Sequence, residues 1–196
     1  MPRPKQRTPE LRDRVLQVAI STLNEDGLSG FTTRQVAEQA GTSVPAVYEL
    51  FGDKAGLLRA VFFEGFRMLA RQLLAVPETD DAVADVQRLI PVFRRFCLDY
   101  PALARVMFSR PFQDFDPGPE ELAMSPSVRE IFVGRIKRCT DAGLLTGDPV
   151  DIAHVLLALA QGLAVQEGGR WLGKSKASVN RRWDVGVSGI LRGFAR

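Results

Sequence analysis

Apolar residues recur at three- and four-residue spacing through almost the whole chain, and no stretch sustains a period of two, so the pattern predicts an all-α protein. The first helix has a sharp start: Thr8 as N-cap, Pro9 at the first helical position, and Glu10 near the positive end of the dipole. Its apolar stripe is Leu11, Val15, Val18, Ala19 and Leu23; Gly27 supplies a left-handed stop and Leu28 folds back onto the last turn. The second helix starts with two signals, Thr32 and Gln35 at capping-box spacing and Phe31 and Val36 at that of a hydrophobic staple, and Gly41 ends it. Ser43 then caps a third, Val44 to Leu50, with Pro45 still in the first turn. Phe51 and Gly52 break that helix. Asp53 caps a long one running from Lys54 to about Ala75, whose stripe is Leu57, Leu58, Val61, Phe62, Phe66, Leu69 and Leu73. A linker follows around Pro77 to Asp80. Beyond it helices are predicted at about 81–99, 101–109, 126–142, 149–170 and 176–195, with a kink at Pro91 and a proline-rich loop from Pro111 to Pro126.

Two short helices joined across Gly41, behind a longer one, fit a helix-turn-helix unit. Ala37 and Ala46 are small where crossing helices approach, and Val36, Val47 and Phe51 face the core of the trio. Val44, Pro45, Tyr48 and Glu49 are left pointing outward. An ordinary three-helix cluster satisfies the same pattern, but a Val-Pro-Tyr surface suits thymine methyls and backbone sugars.

The stretch from Val15 to Phe62 resembles the N-terminal domain of the tetracycline-repressor (TetR) family. The likeness lies in the glycine after the first helix, the run FTTRQVAEQAG, the Ala46-Val47-Tyr48 of the third helix, and Phe51 ahead of Asp53-Lys54. It implies a helix-turn-helix DNA-binding domain at 1–53 and a helical ligand-binding and dimerisation domain at 54–196, with helix 54–75 connecting the two. It also implies a homodimeric repressor of a palindromic double-stranded operator, released by a small effector; activation, or a protein-interaction module that has lost DNA binding, are the alternatives. Tyr48 resembles the family's phosphate-binding tyrosine and Lys54 the lysine opening the fourth helix, where helix dipole and charge both favour phosphate. Thr33 and Ser43 are further expected phosphate contacts. Arg34 is either a reader of guanine O6 and N7 or a phosphate clamp, and Val44, Pro45 and Glu49 occupy the family's variable, sequence-reading positions. Two residues depart from the pattern: Thr42 stands where an apolar residue is usual, and acidic Glu49 lies on a face meant for DNA, where it accepts from a cytosine N4, is held by Arg34, or weakens binding.

In the second half, Ala153, Leu156, Leu157, Ala160, Leu163 and Ala164 line one helix and Trp183, Val187, Ile190, Leu191 and Phe194 the other. Gly186, Gly189 and Gly193 permit close approach of a partner backbone, and the family resemblance makes these helices a bundle across a two-fold axis. Phe93, Phe96, Met107, Phe108, Phe112, Phe115, Phe132 and Trp171 form a heavy aromatic load that is either core or the lining of a pocket for an apolar or aromatic effector. His154 and Gln161 are the polar groups placed to orient such a ligand, or are satisfied locally.

The net charge of +3 is modest, but Arg3, Lys5 and Arg7 precede any acidic residue and suit a polyanion. With one histidine in 196 residues and no nucleophile elbow, phosphate loop or His/Cys cluster, the chain offers no expected enzyme chemistry, cofactor or metal site. Cys97 and Cys139 sit within apolar patterns as buried thiols. The longest apolar stretch, Val155 to Val165, is too short to span a bilayer, and the start lacks a leader pattern, so a soluble cytoplasmic protein without a membrane partner is expected.

Overall fold

The computed structural model of the protein describes residues 8–108 and 128–196. Arg3, Lys5 and Arg7 of the basic arm, and Phe112 and Phe115, lie outside the described residues. Among those residues the chain forms nine helices: α1 (Pro9–Gly30), α2 (Thr33–Gln39), α3 (Val44–Phe51), α4 (Lys54–Leu74), α5 (Ala82–Asp99), α6 (Pro101–Phe108), α7 (Val128–Asp141), α8 (Pro149–Gly168) and α9 (Lys176–Gly193). No strand occurs among them; Leu145 and Ala195 make one isolated antiparallel bridge.

The helix starts follow from local chemistry. The hydroxyls of Thr8, Thr32 and Ser43 accept from Leu11, Gln35 and Ala46 N–H, and the Asp53 carboxylate accepts from Gly56 N–H at 2.7 Å. Of the capping box at Thr32 the hydroxyl half forms, and the Gln35 amide nitrogen donates to Asp26. Gly27 takes the left-handed conformation (φ 68°), but it kinks α1 rather than ending it, and one more turn runs on to Gly30. Leu28 remains 37% exposed instead of folding back. Pro91 sits inside α5 and the helix continues through it.

By packing, the described residues divide into two units, one holding 8–65 and 100–108, the other 66–99 and 128–196. The expected boundary at 53/54 differs from this division: the first half of α4 belongs with α1–α3, and α6 packs on α1 in the same unit. Leu11, Val15, Leu23, Phe31, Val36, Val47, Leu57 and Val61 form the buried centre of the first unit. Gly56 is obligatory there, since a Cβ would stand 1.9 Å from the Phe51 carbonyl oxygen.

In the second unit α5, α7, α8 and α9 pack together. Its interior holds Phe93, Phe96 and Phe132 from the aromatic set, all without exposed surface, with Cys139 equally buried and Cys97 nearly so. Both thiols are free, and burial pushes that of Cys97 up to about 12. A second kind of contact, wholly polar, closes the end of this unit. Asp85, on the apolar face of α5, is fully buried and accepts from Thr79 N–H at 2.8 Å, from the Thr79 hydroxyl at 2.9 Å, from Arg138 at 2.7 Å and from Arg88. Arg135, only 6% exposed, donates to the carbonyls of Val76 and Pro77 and so fixes the exit from α4.

Burial by itself would push the Asp85 carboxyl up, but the Thr79 N–H, the Arg138 guanidinium, the Thr79 hydroxyl and Arg88 together hold it well below the usual carboxylate range. The folded chain therefore keeps Asp85 ionised where the unfolded chain protonates it. Its stabilising contribution is whole at neutral pH and declines as pH falls below about 4. Asp85→Asn should lower the urea midpoint at pH 7 and lose less stability than the parent between pH 5 and pH 3. Separately, Gly56→Ala should cost about 1–3 kcal/mol, seen by calorimetry as a thermal midpoint lower by roughly 5 °C.

Candidate nucleic-acid interface

The local sequence builds α2 and α3 around buried anchors. Phe31, Val36 and Val47 have no exposed surface and Ala37 is 2% exposed, while Phe51 is half-buried with the Arg12 guanidinium 5.2 Å from its ring centre. The turn between them uses Gly41 at φ 64°, with Gly41 N–H donating to Glu38 O and Thr42 N–H to Ala37 O. Arg14 ties α1 to this corner, its Nε donating to Ala40 O at 3.0 Å.

Fixing Val47 inward turns the opposite face of α3 outward. Pro45 and Glu49 are exposed, Tyr48 is 43% exposed, and Val44 is half-buried. Ser43 at the N-terminus of α3 and Arg34 on α2 are exposed too, and Arg34 has no ion-pair partner among the described residues, so it does not hold Glu49. Lys54 is exposed at the start of α4, its ammonium 5.8 Å above the Phe31 ring. These expected residues thus lie on one unit and are presented outward. Thr33 is the exception. It is only 6% exposed, and the side chain that faces out at this helix start is that of Thr32.

The expected effector residues are not gathered. Phe93, Phe96 and Phe132 are core of the second unit, whereas Met107 and Phe108 belong to α6 in the first, where Met107 lies against Gly65 of α4. Phe112 is outside the described residues. His154 is exposed and Gln161 half-buried, both beside the exposed face of α8. Trp171 is 81% exposed in the turn after α8. The aromatic spacing, which the sequence leaves open between core and pocket, is core at Phe93, Phe96 and Phe132.

A cleft of about 770 Å³ opens instead between α5 and α9. Along its side Arg94 donates from Nε and Nη2 to the two carboxylate oxygens of Glu167, each at 2.7 Å, and from Nη1 to Asn180 at 2.9 Å. Trp183 Nε1–H donates to the same carboxylate at 2.8 Å, and the Arg94 guanidinium lies 5.3 Å from the Trp183 ring. Burial would push the Glu167 carboxyl up, but the hydrogen bonds from Arg94 and Trp183 and the charge of Arg94 bring it below the ordinary value. The sequence carries one hint of this cluster: a Trp in an apolar stripe needs a partner for its N–H. Among the described residues no group of three His, Cys, Asp or Glu is placed to hold a metal ion.

The face of α8 directed away from Glu167 carries Val155, Ala158, Gly162 and Val165, spaced three and four apart and all exposed, and the exposed C-cap Gly169 continues the spacing. This helix is long and apolar enough to cross a membrane by length and composition, more than its central run suggests, yet only 28% of that stretch is buried within the chain. On α9, Val185 (61% exposed) and Gly189 are likewise uncovered.

Comparison with known proteins places this arrangement. Residues 15–61 match the family profile described as "Bacterial regulatory proteins, tetR family", and residues 86–190 match "Tetracyclin repressor-like, C-terminal domain". The chain is 33% identical over 102 residues to the Tetracycline repressor protein class C of Escherichia coli, covering 48% of this chain and 43% of that one. It thus spans less than half the length of that relative. A protein with unknown function from Rhodococcus sp. RHA1 superimposes with TM-score 0.81 at 27% identity, covering 99% of this chain and 100% of that one. A TetR variant from Acinetobacter baumannii AYE in complex with minocycline shares the fold, with TM-score 0.66, 21% identity and coverage of 91% and 93%. The outward face of α3, the helical C-terminal unit and the two profiles agree, and the chain belongs to the TetR family of transcriptional regulators.

Proposed function

We propose that the protein is a ligand-responsive repressor that binds a palindromic operator as a homodimer in the cytoplasm and leaves it when a small molecule enters the C-terminal unit. The observation that carries this is the outward face of α3. Tyr48 and Pro45 are held exposed by the burial of Val47, with Arg34 and Lys54 exposed on the neighbouring helices. Such a face meets the major groove: Tyr48 O–H, Ser43 and Lys54 hold phosphates, Arg34 reads a base edge, and Val44, Pro45 and Glu49 set preference around it.

The homodimer is supported by the uncovered stripe of small and apolar residues on α8 and the matching surface of α9. Two such helices from each copy bury these residues against one another, and the two recognition helices then address half-sites about 34–36 Å apart. Release follows if ligand and DNA favour different positions of α4, which runs unbroken from one unit into the other; the ligand shifts the balance only by its difference in affinity for the two states.

Selection of random duplexes by the purified protein, followed by titration across salt, tests the reading: it should recover an inverted repeat bound less tightly as salt rises. Sequence-blind binding by folded, dimeric protein would sink it. On the recovered site, Tyr48→Phe and Lys54→Ala should weaken binding to every sequence, each by roughly tenfold, whereas Arg34→Ala should relax the preference at one base pair. Equal losses on all sequences for Arg34→Ala would make it a phosphate clamp. Val165→Glu should give a folded monomer by sedimentation, since it sets two like charges into the bundle while costing the free chain nothing.

A further inference from the structure

We propose that the cleft between α5 and α9 is a binding site for an amphipathic organic anion, a carboxylate head on an elongated apolar body. The walls divide along their length. Arg94 of α5 meets Asn180 of α9, so the C-terminal part of α5 lies opposite the start of α9. At that end Lys176 is exposed and has no ion-pair partner among the described residues. It opens α9, whose first turn contains no acidic residue, so its charge adds to the positive end of the helix dipole without compensation. Neighbouring donors point the same way. Arg94 is fixed by Glu167 and Asn180 with Nη hydrogens to spare, and the amide nitrogen of Asn180 has no acceptor among the described residues. A fixed array of donors around an uncompensated cation is complementary to a carboxylate.

The rest of the cleft is suited to an apolar body. Ile90 and Pro91 of α5 and Val179, Val187 and the buried Trp183 of α9 line it. From Lys176 to Ser188 the α9 wall runs about 18 Å, enough for a chain of roughly ten carbons, and the volume is in the range of small-molecule sites. At the far end stand Asp184 and Ser188, which set the polarity of the ligand: its anionic head belongs at Lys176 and not at Asp184. The wall residues of α9 project to the side opposite Val185 and Gly189, so covering those two by a second copy leaves the cleft open.

As the entry point of the effector, the cleft rests on the ligand-responsive reading above, so binding is measured first on the protein alone. Trp183 is the reporter, in a Trp171→Phe background that removes the other tryptophan. Titration with decanoate should change Trp183 emission saturably, with affinity at least about tenfold above that for decanol or decylamine. Lys176→Glu, on an exposed side chain, should weaken decanoate about tenfold and leave decanol unchanged. No saturable change, equal response to all three probes, or indifference to Lys176→Glu would overturn the site. The second measurement is operator binding with decanoate present. Release that needs about tenfold more decanoate in Lys176→Glu supports the cleft as the effector site; retention of DNA despite saturated Trp183 overturns its effector role and leaves the binding site standing.

Discussion

The continuity of α4 is the constraint on which the rest depends. One helix of 21 residues begins beside the recognition helices and ends within the C-terminal unit. Its first half is fixed by Leu57, Leu58 and Val61, all essentially without exposed surface, and by the Asp53 cap. Its far half is fixed by Leu69 and Leu73, and its exit by the hold of Arg135 on the carbonyls of Val76 and Pro77. The same helix therefore contributes buried residues to both units. The Asp85 cluster matters for the same reason. It holds Arg135 and Arg138 in position and compensates their charge in a place where an unpaired guanidinium would be costly.

How much of this was legible depended on how far apart the interacting residues are in the chain. Helix starts at Thr8, Thr32, Ser43 and Asp53 were readable because a cap is complete within three residues. The outward face of α3 was readable because burial of Val47 at helical period fixes where Tyr48 points. The long-range polar clusters were not: Arg94 and Glu167 are 73 residues apart, and Asp85 and Arg138 are 53 apart. An arginine on a helix surface looks the same in sequence whether it meets solvent or a buried carboxylate.

The aromatic residues Phe93, Phe96 and Phe132 are buried core for a related reason. Phe93, Phe96 and Phe132 recur at the period expected of any inward face, and that period encodes burial rather than the presence of empty space. Empty space arises where two helices stand apart, as α5 and α9 do, and polar residues at the rim are what a sequence shows of it. Thr33 and Thr32 illustrate the resolution of such reading. One position of helical phase separates a buried side chain from an exposed one.

The exposed stripe on α8 has a consequence for regulation by quantity. If a second copy covers it, folding and pairing draw on the same apolar surface, and the free energy that holds the chain together rises with its own concentration. Operator occupancy then depends on the square of the free chain at low abundance. Dilution at cell growth would then thin the dimer faster than the copy number of the chain falls, giving a threshold rather than a graded response.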